Sequence, residues 1–221
     1  VGYKEISDNV FQDERGNIYT YSNQKNSVYG ERLIRYKMGF LRQWNPFRSK
    51  LSAALHRKLK VLNLRKDSVV LYLGSASGTT VSHVSDIVEN GIVFAIDISP
   101  KEMTTILFRL AKRMNVAPIL ADCRCPARYE KYFTSMQADC IIQDIACRDQ
   151  VPILLRNADA FLKKGGDVYV SLKVKSITQS KNSTEVLTSA KQELQQHFRL
   201  EKSVNLHGYE ETHWLLHLKK L

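Results

Sequence analysis

The stretch Val69-Val70-Leu71-Tyr72-Leu73-Gly74-Ser75-Ala76-Ser77-Gly78-Thr79-Thr80 narrows the folds open to this chain more than any other. Five apolar, partly β-branched residues make a short buried strand. A turn of small residues follows, and from Thr80 onward Val81, Val84 and Val88 recur at helical spacing. Strand, glycine turn and helix in succession form the unit that binds nucleotide-like ligands in open α/β sheets, because the turn lets backbone N–H groups approach the ligand closely. Gly74 and Gly78 lack G-x-G-x-x-G spacing, and no G-x-x-x-x-G-K-[ST] occurs. Neither a dinucleotide nor a nucleoside triphosphate is therefore expected.

Downstream, strands and helices alternate. Residues 92–98, 117–121, 140–145 and 167–174 read as the second to fifth strands. Ser99-Pro100-Lys101-Glu102 is a capping box with proline at the first helical position, and it opens a helix with Met103, Ile106, Leu107, Leu110 and Met114 on one face. A helix over 151–162 ends at Gly165-Gly166, and a polar helix follows over about 183–198. The last strands, 200–206 and 212–218, have no helix between them and read as an antiparallel pair closing one edge. Alternation with right-handed crossovers predicts an α/β fold around a mostly parallel, doubly wound sheet.

The first 45 residues follow another pattern. Asp13-Glu14-Arg15-Gly16-Asn17 is a turn between Val10-Phe11 and Ile18-Tyr19-Thr20-Tyr21, residues 22–26 form a second, and Lys37-Met38-Gly39 is a third between apolar runs. This predicts a small antiparallel β module over 1–45 and an α/β domain over 46–221. Asn45-Pro46 breaks the pattern. Leu51, Leu55, Leu59 and Leu62 then recur at helical spacing behind Ser49 as cap. Lys50 thus lies in a first helical turn, unfavourable against the dipole, which calls for a reason beyond solubility.

Charge adds a partner class. The net charge is +11, and between Arg32 and Lys66 eleven Lys or Arg occur with no Asp or Glu, so the remaining 22 basic residues balance the 22 acidic ones. The whole excess is interleaved with Tyr36, Phe40, Trp44 and Phe47, the footprint expected of a phosphate-backbone contact. No apolar run approaches the ~20 residues that cross a bilayer, and no charged-then-apolar leader opens the chain, so neither membrane insertion nor secretion is expected. Cys123, Cys125, Cys140 and Cys147 lack C-x-x-C spacing. They suggest a reducing compartment, with neither a disulfide framework nor a metal site expected.

Ligands in such sheets sit beyond the carboxyl ends of the strands. There the chain offers Gly74 to Thr80, then Asp97, Asp122, Asp144 and Lys173 at the ends of successive strands. Asp97 is placed to accept from a ribose diol and Asp122 from an adenine amino group. Asp144 follows the apolar Cys140-Ile141-Ile142 and needs a partner to offset desolvation; Lys173, in a similar setting, is the natural one.

Gly74-Ser75-Ala76-Ser77-Gly78-Thr79-Thr80-Val81-Ser82-His83-Val84-Ser85-Asp86 closely resembles the first S-adenosylmethionine motif of the fibrillarin family. Tyr29-Gly30-Glu31-Arg32-Leu33-Ile34-Arg35-Tyr36, Trp44-Asn45-Pro46-Phe47-Arg48-Ser49-Lys50-Leu51, Asp144-Ile145-Ala146 and Ser171-Leu172-Lys173 are similar to that family in the same order. The resemblance implies a class I methyltransferase with a Rossmann-like, mostly parallel seven-stranded sheet. It implies transfer of the methyl group of S-adenosylmethionine to ribose 2′-hydroxyls in rRNA or tRNA, directed by box C/D guide RNA. The implied partners are guide and target RNA, a Nop-family scaffold protein and a kink-turn-binding protein. The implied location is the nucleolus in a eukaryote and the cytoplasm in an archaeon.

The cofactor contacts implied by the resemblance are Gly74, Ser75, Ala76, Gly78, Thr79, Thr80, Asp97, Ile98, Asp122, Cys123 and Asp144. The family's Lys-Asp-Lys-His set falls on Lys50, Asp144, Lys173 and His213. Lys173 is expected as the base that deprotonates the hydroxyl, oriented by Asp144 with Lys50 steadying charge; His213 is the alternative base. Asp97 stands where the family usually has Glu, and Cys147 where Gln is expected after Asp-x-Ala. The Gly/Arg-rich tail of eukaryotic members is absent, as expected of an archaeal, trimmed or tail-less form. Two other readings are a non-catalytic RNA-binding subunit and a protein (histone) glutamine methyltransferase.

Overall fold

The apolar run at 69–73 is continuous because both faces of its strand are covered. In the computed structural model, which describes residues 2–57, 59–134, 136–177 and 183–221, this strand is β6 (Val69–Leu73) of a seven-stranded sheet. Its other members are β7 (Ile92–Asp97), β8 (Val116–Leu120), β9 (Ala138–Gln143), β10 (Leu162–Lys173), β11 (Phe198–Asn205) and β12 (His213–Lys220), in the order β11-β12-β10-β9-β6-β7-β8. From β8 to β10 the strands are parallel, while β12 runs antiparallel to both β10 and β11. Val70 and Tyr72 point into a core shared with α1 (Lys50–Arg57), α2 (Thr79–Ile87) and α3 (Pro100–Arg109). Leu71 and Leu73 point the other way, against α4 (Gln150–Phe161) and α6 (Ser183–Leu194), with the short α5 (Val174–Ile177) preceding α6. Among the described residues no helix is long and apolar enough to cross a membrane.

The N-terminal residues form a five-stranded antiparallel sheet of β1 (Tyr3–Ser7), β2 (Val10–Asp13), β3 (Ile18–Ser22), β4 (Leu33–Tyr36) and β5 (Gly39–Gln43), ordered β1-β2-β3-β5-β4. The β2–β3 turn closes because the Asp13 carboxylate accepts from the backbone N–H groups of Arg15 and Asn17, both at 2.9 Å.

Several boundaries differ from the sequence reading. The helix after Ser49 ends at Arg57, where the N–H of Leu59 bonds to the Ala54 carbonyl at 3.0 Å. Beyond it Leu62 and Leu64 are buried between exposed Val61, Asn63 and Arg65, the alternation of an extended segment. The apolar face of α3 is shorter than expected, since Leu107 and Met114 are exposed. β10 begins at Leu162, before the glycine pair expected to end α4.

One residue of the basic segment has another task. Arg42 is fully buried, bonded through Nε to Glu31 at 2.8 Å, through Nη1 to Asp86 at 2.5 Å and through Nη2 to Ser82 Oγ at 2.9 Å. It joins β5 to α2 and so locks the small sheet to the large one; it is not a phosphate contact. Trp44 is equally buried and stacks on His83 at 5.0 Å. Thr20 donates to Asp86 at 2.7 Å and so accepts from His83 Nδ1 at 2.7 Å, which leaves Nε2 to accept from the Tyr29 hydroxyl at 2.8 Å. Burial, with Arg42 and Arg113 nearby, holds the His83 imidazole well below its ordinary titration range. Unfolding therefore takes up a proton at this site below about pH 6.5. Stability is expected to be insensitive to His83 above that pH and to fall by about 1.4 kcal/mol per unit below it, until the folded state is itself protonated. Chemical denaturation of wild type and His83→Gln between pH 7.5 and 5.5 checks this, the variant losing about one proton's worth of slope.

Candidate active site

The turn after β6 is shaped by close approach. Gly74 has φ +81°, and a Cβ there would lie 2.5 Å from the Asp144 carbonyl oxygen and 2.6 Å from Ile145 Cγ2. Only glycine lets the turn rest on the chain leaving β9. Ala76 also has positive φ, +44°, and its N–H donates to Asp97 Oδ2 at 2.7 Å. The other oxygen of Asp97 accepts from Ser99 N–H at 2.9 Å. Asp97 thus supplies the back-bond that the capping box would assign to Glu102, while Ser99 Oγ accepts from Glu102 N–H at 3.3 Å. One carboxylate joins the glycine turn to the start of α3.

These residues face a cavity of about 400 Å³ lined by Gly74, Ala76, Asp97, Ile98, Asp122, Cys123, Arg124, Asp144, Ile145, Ala146, Cys147, Asp149 and Ile153. The expected contacts Gly74, Ala76, Asp97, Ile98, Asp122, Cys123 and Asp144 all stand on its wall. Ser75, Gly78, Thr79 and Thr80 do not. The N–H of Ser75 bonds to Ile96, Gly78 packs on Ile106, and the Thr80 hydroxyl donates to Ser49 Oγ at 3.0 Å. The Thr80 bond seats the start of α1 against the turn.

Arg124 was not singled out by sequence. Its guanidinium grips Asp122 through Nε at 3.0 Å and Nη2 at 2.7 Å, holding that carboxyl below its usual range. A guanidinium two residues from a carboxylate in a loop was the available signal. Burial pushes the Cys123 thiol up to about 12 and raises that of Cys147, so both line the wall as neutral groups.

Beside the cavity the second cluster gathers. Asp144 leaves β9 with its N–H bonded to the Leu73 carbonyl at 2.9 Å. Its carboxylate pairs with Lys50 Nζ at 2.9 and 3.0 Å, and not with Lys173, the partner expected from sequence. Lys50 reaches it because Ser49, fixed by Thr80, starts α1 at the strand ends; this is the reason a lysine occupies that first turn. Lys173 instead lies directly opposite His213 in the β10–β12 ladder. His213 Nδ1 stands 2.9 Å from the Glu211 carbonyl, an acceptor only, so in the neutral ring Nδ1 carries the proton and Nε2 the lone pair. All four members of the expected set therefore stand at the carboxyl-end edge of one sheet.

Residues 2–220 match the family model described as Fibrillarin. The chain belongs to the fibrillarin family. A Methanocaldococcus jannaschii fibrillarin-like rRNA/tRNA 2′-O-methyltransferase is 38% identical over 216 residues, 95% of this chain and 93% of that one. Among solved structures, a fibrillarin in complex with Nop5p aligns with TM-score 0.89 and 37% identity over 99% of this chain and all of that one. Aeropyrum pernix fibrillarin with natively bound S-adenosyl-L-methionine aligns with TM-score 0.84 and 32% identity, covering 99% of each chain. The fold is that of the class I methyltransferases, here with the fibrillarin β sheet in front.

Proposed function

We propose that this chain transfers the methyl group of S-adenosylmethionine to ribose 2′-hydroxyls of RNA chosen by a box C/D guide, working with a Nop-family scaffold and a kink-turn-binding protein. The observation that carries the reading is the adjacency of the Asp97 cavity to the Lys50–Asp144 pair and the Lys173–His213 step. The cavity fits the cofactor: Asp97 keeps lone pairs for a diol after its two backbone bonds, and the neutral wall of Ile98, Cys123 and Ile153 suits an adenine ring. When bound, the cofactor supplies an electrophilic methyl carbon on a sulfonium.

The chain's own groups handle the hydroxyl. His213 Nε2, its lone pair free, takes the proton, and Lys173 beside it steadies the developing alkoxide. Lys50, held by Asp144, adds positive charge at the same edge, where alignment of oxygen with the methyl carbon supplies much of the rate. This moves the base from Lys173, the first expectation, to His213, because Asp144 is engaged elsewhere.

An RNA substrate is supported by the surface around this edge. Phe47, three residues before Lys50, is 65% exposed and meets Tyr209 edge-on at 5.1 Å. Arg48 lies over Tyr29 at 5.2 Å and Arg57 over Tyr209 at 5.5 Å. The exposed Phe47 ring suits a stacking base, and the exposed guanidinium groups of Arg48 and Arg57, each lying over a half-buried tyrosine, suit phosphates. Calorimetry should show S-adenosylmethionine binding to the wild type, weakened about tenfold or more in Asp97→Ala. Reconstitution with guide RNA and both proteins should then methylate one selected ribose. No cofactor binding, or transfer only to protein glutamine, overturns the reading.

A further inference from the structure

β9 ends at Gln143, its last ladder partner on β10 being Val170, yet β10 runs on to Lys173. Over those last three residues β10 is paired only with β12 on its other side. The backbone N–H and C=O of Lys173 that face the departed β9 would be orphaned in a part-buried setting, a costly state.

A side chain fills the gap. Gln150, the first residue of α4, is fully buried. Its Oε1 accepts from Lys173 N–H at 3.0 Å, and its Nε2 donates to the Lys173 carbonyl at 3.3 Å and to the Cys147 carbonyl at 2.7 Å. A carboxamide carries a donor and an acceptor side by side, as a peptide group does, so it can stand in for a missing strand. Gln150 is itself held: Gln143 Nε2 donates to its backbone carbonyl at 2.7 Å, and Gln143 is also fully buried.

We propose that Gln150 is a positioning residue for methyl transfer. It clamps the backbone beneath Lys173 and ties it to Cys147 on the cavity wall, so that the proton-handling edge and the cofactor loop keep one spacing. It touches neither substrate nor cofactor, and its effect passes through Lys173 and the loop over 144–149. The proposal rests on the methyl-transfer reading for its kinetic consequence only; the clamp itself does not depend on it.

The test compares wild type, Gln150→Leu and Gln150→Glu. Gln150→Leu removes all three bonds at similar volume. In the reconstituted particle its single-turnover rate should fall about 100-fold, the size expected when reacting groups are misplaced by about 1 Å. S-adenosylmethionine affinity should move less than about threefold, since the cavity lining keeps its side chains. Gln150→Glu keeps the acceptor for Lys173 N–H and lacks the donors, so it should fall between the two. Amide hydrogen exchange on the folded chain gives a readout free of activity: Lys173 N–H should exchange faster in Gln150→Leu and stay protected in Gln150→Glu. Wild-type rate together with unchanged Lys173 exchange in folded Gln150→Leu overturns the proposal, and so does a loss confined to cofactor affinity. If the wild-type particle transfers no methyl to RNA, the functional reading fails while the exchange measurement still decides the clamp.

Discussion

His213→Ala should slow methyl transfer in the reconstituted particle by about 10³-fold, within the range that a positioned proton acceptor contributes. Its effect should appear in the single-turnover rate with little change in cofactor affinity, because His213 does not line the cavity. The pH profile separates it from its neighbour. If Nε2 takes the proton, the wild-type rate falls on the acid side, His213→Ala loses that limb, and Lys173→Ala keeps it at a lower overall rate. The reverse pattern, with the limb lost in Lys173→Ala and kept in His213→Ala, would return the base to Lys173. Wild-type speed in a folded His213→Ala would remove the histidine from the chemistry altogether.

Arg42→Ala should cost about 3–5 kcal/mol of stability, the toll of leaving buried charge without its counter-ion. Both partners stay behind: Glu31 retains only the backbone N–H groups of Val28 and Tyr29, at 2.9 to 3.0 Å, and Asp86 keeps Arg113 at 2.6 Å and Thr20 at 2.7 Å. For a chain of this length that loss lowers Tm by roughly 6–20 °C. Arg65→Ala is the control, since Arg65 is exposed and pairs with Asp67 at 3.2 Å; its cost should be about 1 kcal/mol or less. Thermal unfolding of both variants decides the matter. A near-neutral Arg42→Ala would mean that the two sheets hold together without it.

The wound sheet was legible because its signals are local. The Val69–Leu73 run, the Ser99-Pro100 helix start and the lack of a helix between the last two strands each act within a few residues. The order of carboxylates along the strand ends follows from the same alternation, which is why Asp97, Asp122 and Asp144 were found on one edge. Partner choice was less legible. Asp144 and Lys173 sit at the ends of adjacent strands, yet Lys50 from a helix 94 residues earlier in the chain captures the carboxylate. Distance along the chain also hid Arg42, which in one dimension looks like another surface base and in three is the counter-ion of Glu31 and Asp86. The helical reading of Leu59 and Leu62 failed for a related reason: spacings of three and four do not distinguish a continued helix from a buried extended segment.

β12 is synthesised after both strands it separates. A growing polypeptide can assemble the parallel half of the sheet, with its glycine turn and Asp97, while β10 and β11 still lack the ribbon that joins them. His213 opens that ribbon, so the proposed proton acceptor reaches Lys173 only when the final pairing closes. Such a chain could hold the methyl donor before it could use it, and catalytic competence would arrive with the last long-range pairing of the large sheet.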